Sequence, residues 1–404
     1  MGRAIPHTSS RATVLDVIRA AGTISRAGLA SATGLTAATI SNVVRGLLAD
    51  ELVTEVGRAE STGGKPRVLL RLVPSSRYAV GVHLDAGGTT YALTDLTGAV
   101  VSRMAHVGTR EEDPEEVPAR MVRQVDALVD GAGVDRERLL GIGLVTAAGV
   151  PAPVSLSAQD LERATGLSVV TGDDATASAL GEYWSGEAGG ASVLAAVYMG
   201  ATIGAGVLVD GIPYRGAHGN AGDLGHVCLD VDGPECRCGA RGCLEAIAGP
   251  EAIVAAARAD ERTAGAAGLV GRERSSVVGG FTAVVRAARS GDPTARALVD
   301  RSARYTAVAV RTLVGIVDPD LVVLTGVGQA VAGETYLPAV RRELGTAFAG
   351  RGGGPVRVRL STFADTAPAI GAAAMVLRSR LTPLRTPGLR LPDDLSESGP
   401  VPVH

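Results

Sequence analysis

The sequence predicts an α/β protein that begins with a small helical domain and continues into a larger domain of mixed strands and helices. The chain has 404 residues, of which 46% are hydrophobic, so it is long enough for two or three domains with buried cores. Apolar residues recur at helical spacing near the N-terminus. Strand-like runs follow at 78–84 and 91–95, and helical patterns return over 281–317.

Turn-forming and low-complexity residues divide the chain into three parts. Pro74, Ser75 and Ser76 stand just before the first strand-like run, so we expect an N-terminal domain at residues 1–75 and a main domain at 76–380. Residues 381–404 hold repeated prolines and few apolar side chains, which predicts a disordered tail. Residues 263–280 are expected to form a loose loop, and no internal repeat stands out.

Composition and charge exclude some classes of protein. No stretch approaches the ~20 uncharged apolar residues that a membrane span needs, and the N-terminus lacks a signal-peptide pattern. We therefore expect a soluble, cytoplasmic protein with no membrane partner. Residues 1–75 hold nine basic and five acidic side chains, which gives this segment a net charge of +4. Because the whole chain has a net charge of −3, the remaining residues carry a net charge of −7. A basic head on an acidic body is typical of proteins that bring one end to nucleic acid.

The N-terminal domain is predicted to hold three short helices. The first covers residues 12–20 and stops at Gly22. Ser25 is placed to cap a second helix that ends at Gly34, and Thr36 is placed to cap a third. The short turn between the second and third helices is typical of a helix-turn-helix. One stripe of the third helix is apolar and should be buried, namely Ile40, Val43, Val44, Leu47 and Leu48.

A hairpin completes this domain as a winged helix-turn-helix. Strands at 52–56 and 68–72 flank a glycine-rich loop, and cations at such a tip suit a narrow minor groove. The small and hydrogen-bonding residues opposite the apolar stripe suit close approach to base edges in a major groove. The predicted contacts to double-stranded operator DNA are Ser25, Arg26, Thr36, Ala37, Thr39, Ser41, Asn42, Arg45, Arg58, Lys65 and Arg67. A protein-docking module is the alternative.

A short segment of the main domain holds all four cysteines. His226, Cys236, Cys238 and Cys243 can satisfy tetrahedral zinc, and the glycines between them let the backbone wrap around an ion. Four protein ligands fill the coordination sphere, so we expect a structural zinc. Cys228 is the spare and is expected to be buried. Free thiols in a loop are the alternative.

The same segment resembles the signature of the ROK family, named for repressors, uncharacterised frames and sugar kinases. Residues 225–245 read GH, nine residues and CxCGxxGCxE without a gap. The resemblance extends along nearly the whole chain, through SRAGLASATGL, GGKP, ALGEYW, DPDLVVLTG and the turn at 371–373. It implies an actin-like (ribonuclease H-like) fold of two lobes, as in a sugar kinase, with sugar between the lobes, ATP opposite, and a homodimer or homotetramer.

The phosphate-binding turns depart from the kinase pattern. The residues Asp85-Ala-Gly-Gly-Thr89 resemble the family's DxGGT motif. When the family pattern is aligned with this segment without a gap, however, His83 takes the position of the kinase aspartate. An anionic side chain then stands where phosphate would approach. In the second turn Thr202 replaces a glycine and would be strained at positive φ. We therefore expect ATP binding, and with it kinase activity, to be lost, so that the protein is not an enzyme.

The sugar side keeps some carboxylates. Asp174 lies where the family's catalytic base lies, as a vestige of it, although the neighbouring residues are changed. The family's GExGH becomes GDLGH with Asp223, and Glu245 is retained. A sugar or related small metabolite held by Asp174, Asp223 and Glu245 is the expected ligand. The alternative is that these carboxylates serve only as solvated or capping residues.

Together these features predict a ligand-responsive DNA-binding transcriptional regulator, of the repressor kind. Dimerisation through the main domain would pair two half-sites, and an effector between the lobes would alter the spacing of the two heads. An ATP-dependent sugar kinase that carries a DNA-binding head is the second hypothesis. A regulator that answers to a protein partner or to zinc supply is the third.

Overall fold

The computed structural model describes residues 7–58, 67–85, 87–107, 116–147, 157–185, 188, 190–271, 276–350 and 356–381. The predicted tail at 382–404 and the wing tip at 59–66 lie outside these residues. None of the described helices is long and apolar enough to cross a membrane.

The N-terminal domain has the predicted order of three helices and a hairpin. Its elements are α1 (His7–Ala21), β1 (Ile24–Ser25), α2 (Arg26–Thr33), α3 (Ala37–Ala49), β2 (Val53–Arg58) and β3 (Val68–Leu72). The predicted caps are confirmed, because Ser25 accepts from the Gly28 amide and Thr36 from the Thr39 amide. Gly34 ends α2 at φ 67°, where a residue without Cβ is unstrained. Strand β3 lies between β1 and β2 in an antiparallel sheet.

The first lobe of the main domain is built on a five-stranded sheet in the order β6-β5-β4-β7-β8. Its elements are β4 (Tyr78–Asp85), β5 (Gly88–Asp95), β6 (Val100–Val107), α4 (Val117–Gly131), β7 (Leu139–Thr146), α5 (Ala158–Thr165), β8 (Val169–Asp173) and α6 (Asp174–Trp184). The first three strands are antiparallel, and β7 and β8 run parallel to β4. A turn of 3-10 helix at Pro74–Ser76 connects this lobe to the N-terminal domain.

The second lobe repeats this topology in a sheet of order β11-β10-β9-β12-β13. Its strands are β9 (Val193–Met199), β10 (Ile203–Val209), β11 (Ile212–Pro213), β12 (Leu321–Thr325) and β13 (Arg357–Leu360). Its helices are α7 (Leu244–Ala248), α8 (Pro250–Ala259), α9 (Glu261–Ala266), α10 (Val277–Arg289), α11 (Pro293–Val317), α12 (Val327–Ala347) and α13 (Ala367–Leu381). The repeat confirms the two-lobed expectation, although the sequence shows no repeated pattern.

The segment expected to be a loose loop is partly helical among the residues described. Residues 263–266 belong to α9, and α10 begins at Val277 rather than at Phe281. Phe281 and Val284 of α10 are buried against the second sheet, where β10, α8 and α11 supply the rest of the core. Burial of these apolar side chains outweighs the weak local helix propensity of a glycine-rich stretch.

The two lobes are joined through the crossing of α6 and α13. Helix α6 follows the first sheet but packs on β9 and β10 of the second, whereas α13 follows the second sheet and packs on β4 and β7 of the first. The helix backbones approach closely because a Cβ at Gly371 would lie 1.6 Å from the Ala177 carbonyl oxygen. A Cβ at Gly181 would lie 2.5 Å from the Ala367 carbonyl oxygen. Glycine at both positions therefore permits the contact.

We predict that Gly371→Ala destabilises the protein by about 3 kcal/mol or more, because the added methyl overlaps backbone that cannot move aside. Gly345→Ala is the matched control, since Gly345 lies in α12 with no atom near its absent Cβ. That variant should be neutral or stabilising by up to ~1 kcal/mol. Thermal unfolding followed by circular dichroism compares the two variants. Equal melting temperatures would contradict the close helix crossing.

Candidate functional site

The exposed side of α3 carries most of the side chains predicted to meet DNA. Its inner side is fully buried through Ile40, Val44 and Leu47. The residues of this region that are exposed to solvent are Thr36, Ala37, Ser41, Asn42 and Arg45, with Thr39 half-buried beside them. Because the helix is anchored by its opposite stripe, this face is presented on a rigid element.

Internal hydrogen bonds arrange the polar side chains of this face. Arg45 donates to Oδ1 of Asn42 at 3.2 Å, which holds an amide next to a guanidinium. Ser41 donates to the carbonyl of Ala37 at 2.8 Å, and the hydroxyls of Thr36 and Thr39 are 2.9 Å apart. Such bonds reduce the side-chain freedom that would be lost on binding a duplex.

The remaining side chains predicted to contact DNA lie outside α3 and have different surroundings in the domain. Ser25 is only 3% exposed, and its Oγ accepts from the Gly28 amide at 3.1 Å. The Ser25 side chain therefore serves as a helix cap, and the prediction that this side chain contacts DNA is wrong. Arg26 pairs with Glu55 of β2 at 3.1 Å, which ties α2 to the wing. Arg67 is exposed at the start of the second wing strand, whereas the Arg58 side chain and Lys65 lie outside the described residues.

The predicted metal ligands come together in the second lobe. One ligand atom from each of His226, Cys236, Cys238 and Cys243 lies within 4.8 Å of all the others. The Sγ atoms of Cys238 and Cys243 are 3.7 Å apart, close to the ~3.8 Å edge of a tetrahedron with metal–sulfur bonds of about 2.3 Å. Burial raises the pKa of the Cys243 thiol to about 12, so a thiolate at that position requires a cation beside it. The donor set and its spacing therefore fit a metal ion.

Backbone pairing shapes the loop that carries these ligands. Cys228 and Cys243 form an isolated antiparallel bridge, and Glu235 pairs in the same way with Arg241. A Cβ at Gly242, where φ is 67°, would lie 1.5 Å from the carbonyl oxygen of Asp230, so only glycine fits there. Cys228 is exposed, which corrects the expectation that this spare thiol is buried.

Glu245 is held by protein groups. Its Oε1 accepts from the Ile203 amide at 2.9 Å, and its Oε2 accepts from Arg237 at 3.0 Å. The carboxylate thus connects the metal loop to the start of β10. Because protein groups bind both carboxylate oxygens of Glu245, the structure favours the capping alternative over the predicted ligand-binding role.

The three residues with predicted ligand-binding carboxylates are linked to the start of β10, Glu245 directly and the other two through a neighbouring residue. Glu245 bonds to Ile203, the first residue of that strand. Gly222, which precedes the exposed Asp223, accepts from the Ala205 amide at 2.7 Å. Ala175, which follows Asp174, packs against the glycines at 204 and 206. Thr202 is not among the described residues with positive φ, so the predicted strain in this turn is absent.

Asp174 lies in a buried polar cluster between the lobes. It is 3% exposed at the first turn of α6, and its Oδ2 lies 4.0 Å from Nε2 of His83. Tyr198 of β9 hydrogen-bonds to Asp174, and the ring of Tyr198 meets that of His83 edge-on with centroids 6.1 Å apart. His83 thus faces Asp174 from β4.

The cluster favours uncharged side chains. Burial, followed by the charge of Asp173, raises the pKa of the Asp174 carboxyl well above its usual range. Burial also lowers the pKa of His83, although the charge of Asp85 opposes that effect. The pKa of Tyr198 is raised by burial and then by the charges of Asp174 and Asp85.

The first phosphate turn carries its own anion. Oδ1 of Asp85 accepts from the amides of Gly87 at 2.6 Å and Gly88 at 2.9 Å. Gly87 lies in the turn of the β4–β5 hairpin, and Gly88 begins the return strand and pairs with Asp85. Backbone amides of a glycine turn are the groups that bind phosphate oxygens in nucleotide sites. Here a side-chain carboxylate already accepts from both of them.

The geometry of a two-lobed α/β body with a metal-ligand loop agrees with the comparison to known families. The sequence profile of the ROK family matches residues 80–379, about three quarters of the chain. The chain belongs to the ROK family. It is 26% identical over 376 residues to a protein named xylose repressor from Caldicellulosiruptor bescii, covering 89% of this chain and 93% of that protein.

Two further relatives define how far the similarity extends. A protein named glucokinase from Halalkalibacterium halodurans is 28% identical over 330 residues, covering 75% of this chain and 96% of the kinase. A crystal structure described as a ROK family transcriptional regulator, a homologue of the E. coli MLC protein, matches with a TM-score of 0.67 and 24% identity, covering 93% of this chain and 98% of that one. The fold of this ROK chain is therefore the actin-like fold, and the larger coverage falls on relatives named as regulators.

Sequence reasoning missed two residues of the candidate site. Tyr198 lies within an apolar strand, and nothing in its spacing distinguishes it from a core aromatic residue. Arg237 lies between two metal ligands and looks like a solvated loop residue, yet it binds Glu245. Only the pairing of β9 with its neighbours and the folding of the loop bring these residues to their partners.

We predict that Asp174→Asn raises the melting temperature, and that its advantage grows as the pH rises from about 5 to 8. The folded protein holds this proton more tightly than the unfolded chain, so wild-type stability falls as pH rises from the unfolded pKa towards the raised folded pKa. Asparagine removes that cost. Since ~1 kcal/mol moves the melting temperature of a domain of this size by roughly 2–4 °C, differential scanning fluorimetry can follow it.

Asp223→Asn is the control for that measurement, because Asp223 is exposed. Its melting temperature should follow that of the wild type at each pH. A loss of stability in Asp174→Asn of equal size at every pH would show that Asp174 is folded as a charged partner, against the argument from burial.

Proposed function

We propose that this protein is a DNA-binding transcriptional regulator, of the repressor kind, whose kinase-like body no longer phosphorylates sugars. The observation that carries the proposal is the exposed polar face of α3 beside the wing strands, on a chain of which the glucokinase relative covers 75%. The xylose repressor relative covers 89% of the chain, which includes part of this domain.

DNA recognition is proposed to use two elements. Helix α3 enters a major groove, where Asn42 and Arg45 offer an amide and a guanidinium suited to purine edges. The wing reaches the adjacent minor groove or backbone through Arg67 and Lys65. A homodimer or homotetramer formed by the body would present two heads to the half-sites of an operator.

The proposed metal is zinc in a structural role. Three thiolates and one imidazole are the soft ligands that zinc takes in closed tetrahedral sites. When bound, the ion would supply cross-linking of the loop and no reaction chemistry. Because Glu245 joins this loop to the Ile203 amide, the metal would also support the start of β10.

The proposed effector is a sugar or a related small metabolite, bound between the lobes near Asp174 and Asp223. Asp223 is exposed and presents its carboxylate to solvent. Asp174 is buried, and burial raises the pKa of its carboxyl group well above the usual range. The names of the relatives, which include xylose repressor and N-acetylglucosamine repressor, support this class of ligand.

Loss of the phosphate chemistry is proposed on two grounds. The carboxylate of Asp85 competes with any phosphate for the Gly87 and Gly88 amides and repels it by charge. The second ground is that His83 lies 4.0 Å from the Asp174 carboxylate, on the strand where the kinase pattern has its aspartate. The second candidate, a sugar kinase with a DNA-binding head, is supported by the glucokinase relatives and by the retained position of Asp174.

We predict that Lys65→Ala or Arg67→Ala weakens operator binding and reduces the slope of log affinity against log salt by about 1, because each loses one phosphate contact. Operator fragments are first selected from genomic DNA with the purified protein, and affinities are then measured by fluorescence anisotropy at several salt concentrations. Arg163→Ala is the control, since Arg163 lies on α5 of the body with its side chain 76% exposed. It should change neither quantity.

Failure to enrich any genomic fragment would contradict the regulator proposal. A coupled ADP-release assay with xylose, glucose and N-acetylglucosamine identifies the other candidate. Robust turnover that Asp174→Asn abolishes would establish the kinase instead.

We predict that purified protein carries about one zinc per chain, as a four-ligand site requires. Cys238→Ser should lose most of this zinc and lower the melting temperature, because the remaining ligands no longer close the loop. Cys228→Ser is the matched control, as Cys228 is outside the cluster. Inductively coupled plasma mass spectrometry gives the metal content. Zinc loss to the same extent in both variants, or full zinc in Cys238→Ser, would contradict the assignment.

A further inference from the structure

The N-terminal domain is attached to the body by a buried cation–aromatic contact as well as by the chain. The guanidinium carbon of Arg19, near the end of α1, lies 4.3 Å from the ring centroid of Trp184 and 5.4 Å from that of Tyr183. Both aromatic residues lie in the last turn of α6. The Arg19 side chain is only 8% exposed, and Trp184 is 5% exposed. Desolvation strengthens such a contact.

Charged groups surround the stack. Asp16 pairs with Arg19 at 3.4 Å and also attracts Arg378 of α13. Arg378 in turn donates to the carbonyl of Gly211. We call the set Asp16, Arg19, Tyr183, Trp184 and Arg378 the head junction. It links one helix of the DNA-binding domain to both helices of the lobe crossing.

Apolar packing continues the same interface. Leu96, from the turn after β5, is buried in the core of the N-terminal domain, and its amide donates to the Pro74 carbonyl. Leu381 packs against that core as well as against the core between the lobes. A flexible tether would leave the domain free to reorient, whereas shared core residues and a buried stack resist rotation.

We infer that the head junction fixes the orientation of each DNA-binding domain on the body and thereby selects the spacing between operator half-sites. The inference rests on the proposed DNA-binding function. Inserting one base pair between half-sites moves one of them by ~3.4 Å and turns it by about 35° around the duplex. A docked domain cannot follow this displacement without breaking its contact with α6. A released domain follows it through its connection to the body.

Trp184 makes the contact measurable, because it is the one tryptophan of the chain. Arg19→Met keeps an unbranched aliphatic side chain but removes its charge. The cation–aromatic contact with Trp184 and the ion pair with Asp16 are therefore both lost. We expect the emission of Trp184 to shift to longer wavelength and its quenching by acrylamide to increase roughly two-fold as the ring gains solvent. Arg11→Met is the matched control, since Arg11 lies on α1 but pairs with Asp50 inside the same domain. Its emission should stay unchanged.

The functional measurement compares operators in which the half-site separation is increased or decreased by one base pair. Wild-type protein and Arg11→Met should lose affinity roughly tenfold or more on such operators. Arg19→Met should lose much less, while its affinity for an isolated half-site equals that of the wild type. Circular dichroism confirms that each variant is folded.

Three outcomes are decisive. Unchanged quenching in folded Arg19→Met would overturn the docked arrangement, whether or not DNA binds. Increased quenching together with unaltered spacing preference would overturn the role of the junction in spacing. Should wild-type protein bind no DNA, the proposed function fails and the spacing inference fails with it, while the quenching result still reports whether the domain is docked.

Discussion

Helix α6 is the element on which the arrangement of this protein depends. Its first turn holds Asp174 between the lobes, its middle crosses α13 at Gly181, and its last turn carries Trp184 against Arg19 of the N-terminal domain. Nine of its residues are buried, so the helix cannot slide or tilt without disturbing both sheets and the head. The candidate ligand site and the candidate DNA interface are therefore attached to the two ends of one rigid body.

Much of the fold and part of the site could be predicted from local sequence. Ser25 and Thr36 cap their helices because a side-chain oxygen two or three positions before a free amide acts locally. The gathering of His226 with Cys236, Cys238 and Cys243 also follows from a short-range pattern. The sequence predicts a ligand-binding role for Glu245 because its two partners cannot be recognised locally. Ile203 lies on a distant strand, and Arg237 meets Glu245 only through the folding of the loop. The repeated lobe topology leaves no repeat in sequence, since only burial and strand order are shared.

The candidate ligand-binding carboxylates differ in environment more than in sequence. Asp174 is buried and has a raised pKa, Glu245 is bound by an amide and a guanidinium, and Asp223 is exposed. A family signature alone assigns all three to the same role. The structure separates a buried hydrogen-bonding group, a structural brace and an accessible anion, which narrows the residues that could meet an effector to the first and the last.

The Asp85 hairpin has a consequence for phosphate binding. The amides of Gly87 and Gly88 already donate to the carboxylate of Asp85. A phosphate would have to displace this carboxylate before it could accept from the same two amides.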